Sequence, residues 1–88
     1  PNAQKNEMEP ILLELPPQGQ SHEVAVHEGE EFGYVLSGRI KLVNLDTGKV
    51  YTVKKGQTFY VKGSFSHCLK NDSAQPARVL WICTPPIF

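Results

Sequence analysis

Apolar and polar residues alternate along this chain in short stretches, and no stretch follows the 3.6-residue period of a helix. Residues 11–15 form the first predicted strand, which ends at Pro16-Pro17 and Gly19. Residues 22–28 alternate, with Val24 and Val26 on one face and Ala25 and His27 on the other. Strands predicted over 31–36 and 40–45 flank Ser37-Gly38, the spacing of a two-residue hairpin turn. Asp46-Thr47-Gly48 supplies the next turn, with glycine where a positive φ is needed. Strands over 50–53, 58–61 and 66–69 are separated by Lys55-Gly56 and Lys62-Gly63. A longer loop through Asn71-Asp72-Ser73 and Pro76 leads to a last strand over 78–83, which Thr84-Pro85-Pro86 stops. About eight short strands predict an all-β antiparallel sandwich or small barrel. Such a barrel has an interior wide enough for packed side chains or one small ligand. Residues 1–8 are polar and aperiodic and read as a linker or terminus, leaving 9–88 as a single domain.

Composition narrows the function classes. Nine basic and nine acidic residues give a net charge of zero, so nothing pulls the whole chain toward nucleic acid or an anionic membrane. With no helix to enter a groove either, the chain itself is not expected to contact DNA. The longest apolar run, residues 79–83, is five residues, far short of the ~20 of a membrane helix. No signal-peptide pattern opens the chain, and two cysteines, Cys68 and Cys83, are too few for a disulfide framework. Free thiols in a reducing cytoplasm are expected. The charge is uneven: residues 1–31 hold seven Glu and one Lys, and residues 32–88 hold eight Lys or Arg and two Asp. Pairing of the two halves across one sheet is the expected use of that asymmetry.

Three residues carry the candidate chemistry. His27 and Glu31 are four apart, roughly 13 Å on a straight strand, but Gly29 between them permits a bend that turns both into one space. His67 arrives from a distant strand. Two imidazoles and a carboxylate match the ligand sets of mononuclear Fe, Mn, Ni or Zn sites with open positions, and they equally describe hydrogen-bonded interior polar groups. Tyr34, Phe59 and Trp81, among the aromatics, are candidates to line a ligand cavity. Cys83 alternates with Val79 and Trp81 and should face the interior as an inert thiol.

The spacings of these residues resemble the two motifs of the cupins. The first runs Gly19, then five residues, Ala25-Val26-His27, Glu31 and Gly38; the second runs Gly56, then five residues, Lys62-Gly63-Ser64, His67 and Asn71. The resemblance implies a double-stranded β-helix, the jelly roll, with His27, Glu31 and His67 as metal or ligand residues. It departs from the pattern at the chemistry. Ala25 stands where the family's first metal histidine falls, and Lys62 and Ser64 replace the Pro and Gly before His67. A weakened or missing divalent-metal site follows.

Residues 27–38 and 76–88 also look like the opening and the terminal strand and tail of the cupin domain of XRE-type helix-turn-helix transcriptional regulators. That narrower resemblance implies a small-molecule-sensing regulatory domain that forms a homodimer and acts on DNA through an N-terminal domain absent from this chain. A stand-alone metal-dependent cupin enzyme, of dioxygenase or isomerase type, is the alternative, and a purely structural cupin a third.

Overall fold

A computed structural model describes residues 7–25, 28–63 and 65–85, and within them the regular elements are all strands. They are β1 (Glu9–Leu15), β2 (Glu30–Ser37), β3 (Arg39–Asn44), β4 (Val50–Lys54), β5 (Thr58–Lys62), β6 (His67–Lys70) and β7 (Ala77–Thr84). Two antiparallel sheets face each other, one in the order β1-β7-β2-β5 and one in the order β4-β3-β6. The chain is a double-stranded β-helix. Period-two alternation drives the packing: in β2, Glu31, Gly33 and Val35 point inward while Phe32 and Tyr34 face out. Strand β7 sends Val79, Trp81 and Cys83 into the same interior, where they meet Ile40 and Leu42 of β3 and Leu69 of β6. Pro10, with no N–H to donate, sits on β1, an edge strand where that loss is tolerated.

Two sequence expectations change. The strand over 22–28 does not form within the described residues. Residues 20–24 run beside β6 without a continuous ladder, with isolated bridges from Gln20 to Lys70 and Val24 to His67 and a backbone bond from the Ser21 N–H to the Leu69 carbonyl between them. Ser21 is the reason. Its hydroxyl accepts the N–H of Leu69 at 2.9 Å, taking the place of a backbone carbonyl and interrupting the ladder. Val24 then enters the core and Ala25 lies exposed.

Ser37-Gly38 is a corner and not a hairpin, because β2 and β3 belong to different sheets. The β2–β7 register slips between Val35 and Ser37, and Gly38 takes φ 74° beyond it. A Cβ there would lie 2.6 Å from the carbonyl oxygen of Pro76, so the corner requires glycine. The turn at Gly48 is as expected, with φ 78°.

Two pairs of opposite charge face each other across the four-stranded sheet: Glu14 stands opposite Arg78, and Glu30 opposite Lys62. Four other basic residues lie on the three-stranded sheet, where Arg39 faces Lys54 and Lys41 faces Lys70.

Candidate functional site

Glu31 from β2, His67 from the start of β6 and Trp81 from β7 meet between the sheets. Glu31 is 1% exposed, and the other two are fully buried. The indole N–H of Trp81 donates to Glu31 Oε1 at 2.8 Å. His67 Nε2 lies 2.8 Å from both carboxylate oxygens. His67 Nδ1 is 3.1 Å from the carbonyl of Phe65, a group that can only accept, so that nitrogen carries a hydrogen. Burial pulls the imidazole toward its neutral form. The hydrogen bond to Glu31, the Phe65 carbonyl and the Glu31 charge outweigh it, and the His67 pKa ends above its ordinary value. Each ring nitrogen of His67 thus faces an acceptor, and the raised pKa favours the protonated ring against the Glu31 carboxylate. The Phe65 ring stands edge-on to the imidazole at 5.5 Å. The Phe59 ring stands edge-on to Trp81 at 6.4 Å.

Among the described residues this pair alone does not make a divalent-metal site. Hydrogen bonds engage both nitrogens of His67, and one oxygen of Glu31 already accepts from Trp81. Among the described residues no third His, Cys, Asp or Glu joins the pair. His27, expected to be the other imidazole, lies outside the described residues. Ala25, expected beside it in the site, is exposed.

A cavity of about 420 Å³ opens between β4, an edge of one sheet, and β5, an edge of the other. Its apolar wall includes Tyr51, Val53, Phe59, Val61 and Phe65. Neither Glu31 nor His67 lines it; Phe59 and Phe65 stand between the cavity and the polar cluster. Gly33 makes that placement possible. A Cβ on Gly33 would run into the Phe59 ring, which lies flat over the bare backbone. Tyr34 joins neither group, being exposed on the outer face of β2.

Three residues do work here that sequence reasoning did not assign. Trp81 was read as a wall and is also the donor that holds Glu31; an indole N–H at an interior position needs an acceptor, which was the available signal. Gly33 and Ser21 gave no signal on their own. Cys83 is fully buried, and burial, with Glu31 and Glu9 nearby, pushes its thiol up to about 12. Cys68 is shifted the same way, chiefly by burial, so both thiols are inert at neutral pH.

A jelly roll with a buried glutamate–histidine pair at these spacings defines a cupin. Residues 11–83 match the Cupin_2 family of cupin domains, and the chain belongs to that family. It is 32% identical over 87 residues to the uncharacterized protein MJ1618 of Methanocaldococcus jannaschii, covering 98% of this chain and 68% of that protein. It is 36% identical over 62 residues to the HTH-type transcriptional regulator PuuR of Escherichia coli, covering 70% of this chain. The match spans about a third, 32%, of PuuR. Among solved structures, the Cupin_2 domain of an XRE family transcriptional regulator from Enterobacter cloacae superposes with a TM-score of 0.79 at 23% identity, covering 96% of this chain and 87% of that one. A predicted oxalate decarboxylase from Thermotoga maritima superposes with a TM-score of 0.80 at 20% identity, covering 94% and 71%. The fold is thus shared with regulators and with enzymes.

Proposed function

We propose that this chain is the small-molecule-sensing cupin domain of a helix-turn-helix transcriptional regulator, acting in the cytoplasm on DNA through a separate N-terminal domain. One observation carries the reading: Phe59 and Phe65 line an aromatic-walled cavity and stand edge-on to Trp81 and His67 of the buried polar cluster. A compact, largely apolar effector fills that cavity. Its polar groups meet the Tyr51 and Thr58 hydroxyls at the rim. Displacing Phe59 and Phe65 repositions Trp81 and His67, and those link three strands of the two sheets. An effector acts by favouring one of two such arrangements, and its leverage equals the difference in its affinity for them. The similarity to PuuR supports the regulatory half of the reading. Catalysis on a metal is less well supported, since hydrogen bonds already engage both nitrogens of His67 and one oxygen of Glu31.

Trp81 is the single tryptophan, so its fluorescence reports on the cluster. Titration with a panel of small aromatic and branched carboxylic acids should change that emission and raise the melting temperature. Both responses should be lost in Val53→Phe, which narrows the cavity and leaves Trp81 the single tryptophan. A ligand that binds Val53→Phe as well as the parent overturns the assignment of the cavity. Turnover of a bound compound overturns the regulatory reading in favour of an enzyme.

A further inference from the structure

Basic strand residues have different neighbours in the two sheets. In the four-stranded sheet Arg78 stands opposite Glu14 and Lys62 opposite Glu30, whereas in the three-stranded sheet Arg39 stands opposite Lys54. Like charges directly opposite each other weaken a strand pair. Lys55 follows Lys54 and brings a third cation to the same place. Gly38, Arg39, Lys54, Lys55, Ser73 and Gln75 line a cavity of about 600 Å³, with no carboxylate side chain in its wall. Among the described residues none of the three cations has an ion-pair partner. We infer that this cavity binds a small molecule carrying two or more negative charges, as phosphate or carboxylate groups.

The site is separate from the places described above. On β2 and β7, Glu31 stands opposite Cys83 and Ser37 opposite Arg78. The corner at Gly38 therefore lies roughly 17 Å along β7 from the buried pair, at ~3.4 Å per residue. Its lining shares no residue with the cavity between β4 and β5. Both walls are fixed in advance. The Lys55 N–H donates to the Gly38 carbonyl at 3.0 Å, and the Lys54 N–H to Gln57 Oε1 at 2.9 Å. Across from this turn, the Gln75 carbonyl accepts from the Asn71 amide at 2.7 Å and from the Ser73 hydroxyl at 2.9 Å. Gln18 donates to the carbonyls of Asp72 and Ser73 at 3.2 and 3.3 Å. With the backbone set, a ligand has only side chains to order.

The charges define the ligand class. A guanidinium offers a planar fork of donors that matches phosphate or carboxylate oxygens two at a time, and an ammonium adds a point charge. A singly charged group would leave most of the three positive charges unmatched, and a doubly charged one would match two of them. Binding also relieves the repulsion between Arg39 and Lys54. A nucleic acid needs cations spread along its phosphates, whereas these three are gathered at one corner of a chain whose net charge is zero. Lys41 and Lys70 lie on the same sheet outside the cavity, and Lys41 already donates to the Thr52 hydroxyl at 2.8 Å.

The inference does not rest on the effector reading, and its test uses none of the apolar cavity. Pyrophosphate and citrate are titrated calorimetrically into the full chain at fixed ionic strength. One or both should bind one to one, the pair of titrations telling phosphate from carboxylate preference. Arg39→Gln/Lys54→Gln should weaken that binding about tenfold or more, since two charged hydrogen-bond donors are lost. Without anion this variant should melt no lower than the parent, because a like-charge pair has gone. All three cations are exposed, and circular dichroism checks folding; Lys55→Gln serves as a milder second variant. Lys41→Gln/Lys70→Gln, which removes the same charge outside the cavity, should leave binding nearly unchanged. Failure of both anions to bind overturns the proposal. Equal weakening in the two double variants also overturns it, since binding is then general attraction to a basic sheet. Short duplex DNA that binds more tightly than either anion, and loses that binding in Arg39→Gln/Lys54→Gln, overturns the small-molecule assignment.

Discussion

His67 and Asn71 stand four residues apart in the same motif, both are buried, and they anchor two polar clusters of opposite character. The Asn71 amide donates to the carbonyls of Leu15, Pro16 and Gln75 at 3.1, 3.2 and 2.7 Å. Its oxygen accepts from the backbone and hydroxyl of Ser73 at 3.0 and 2.7 Å. Nearly every partner is main chain, so Asn71 does what a strand would do, satisfying backbone groups in loops that have no ladder. The cluster of Glu31, His67 and Trp81 is joined instead almost wholly by side chains. Bonds of that kind are a small minority in folded proteins. A buried charge pair costs several kcal/mol of desolvation per ion. One cluster is thus spent on satisfying backbone groups, and the other on joining side chains of three strands.

Substitution should expose the asymmetry. Glu31→Met strands a buried imidazolium and an indole N–H, and should cost about 3–5 kcal/mol. Adding His67→Leu should recover most of the loss, because the charge then goes as well. Asn71→Ala should cost about 2–3 kcal/mol by orphaning several backbone groups, and no second side-chain replacement can recover it. Chemical denaturation measures both series. If Glu31→Met/His67→Leu is no more stable than Glu31→Met, the two clusters are alike and the distinction fails.

A smaller effect tests the wall between cavity and cluster. Gly33→Ala forces the Phe59 ring off the backbone and should cost about 1–3 kcal/mol by overpacking, while narrowing the cavity. Unchanged thermal stability would mean that the ring has another place to lie.

The smallest effect is in pH. Because the His67 pKa is raised on folding, its contribution to stability is fully present below about pH 6.5, the unfolded value, and is lost as pH rises through the higher folded value. A denaturation series across neutral pH should show stability falling in that window, and the fall should disappear in Glu31→Met/His67→Leu. Asn71→Ala should keep the slope, since no titrating group is lost.

Much of this was legible in the residues. Alternation placed Trp81 and Cys83 inside, and the glycine turns at Gly48 and Gly56 fall where positive φ occurs. The family spacings pointed to Glu31 and His67 as partners across the barrel, and they meet. Tyr34 could have been excluded at once. It is three residues from Glu31 on one strand, so the two side chains point to opposite faces. The lost strand over 22–28 could not have been foreseen. It depends on one serine hydroxyl bonding an amide 48 positions away, and local pattern carries no trace of such a contact. Nor did pattern show that Ser37-Gly38 leads into the opposite sheet. A hairpin and a corner share the same glycine, and the carbonyl that distinguishes them belongs to Pro76.

The order β1-β7-β2-β5 also sets when this domain can come into being. The strand made last lies between the strand made first and β2, so the larger sheet has no continuous hydrogen bonding until residues 77–84 are in place. On a ribosome adding about 5–20 residues per second, β1 waits for seconds with apolar side chains exposed and no neighbour to pair with, and β2 has only β5. Closure then requires contacts between the two ends of the domain, the kind that makes all-β chains slow to fold. For this cupin the interval between synthesis and closure is the period of greatest exposure to aggregation.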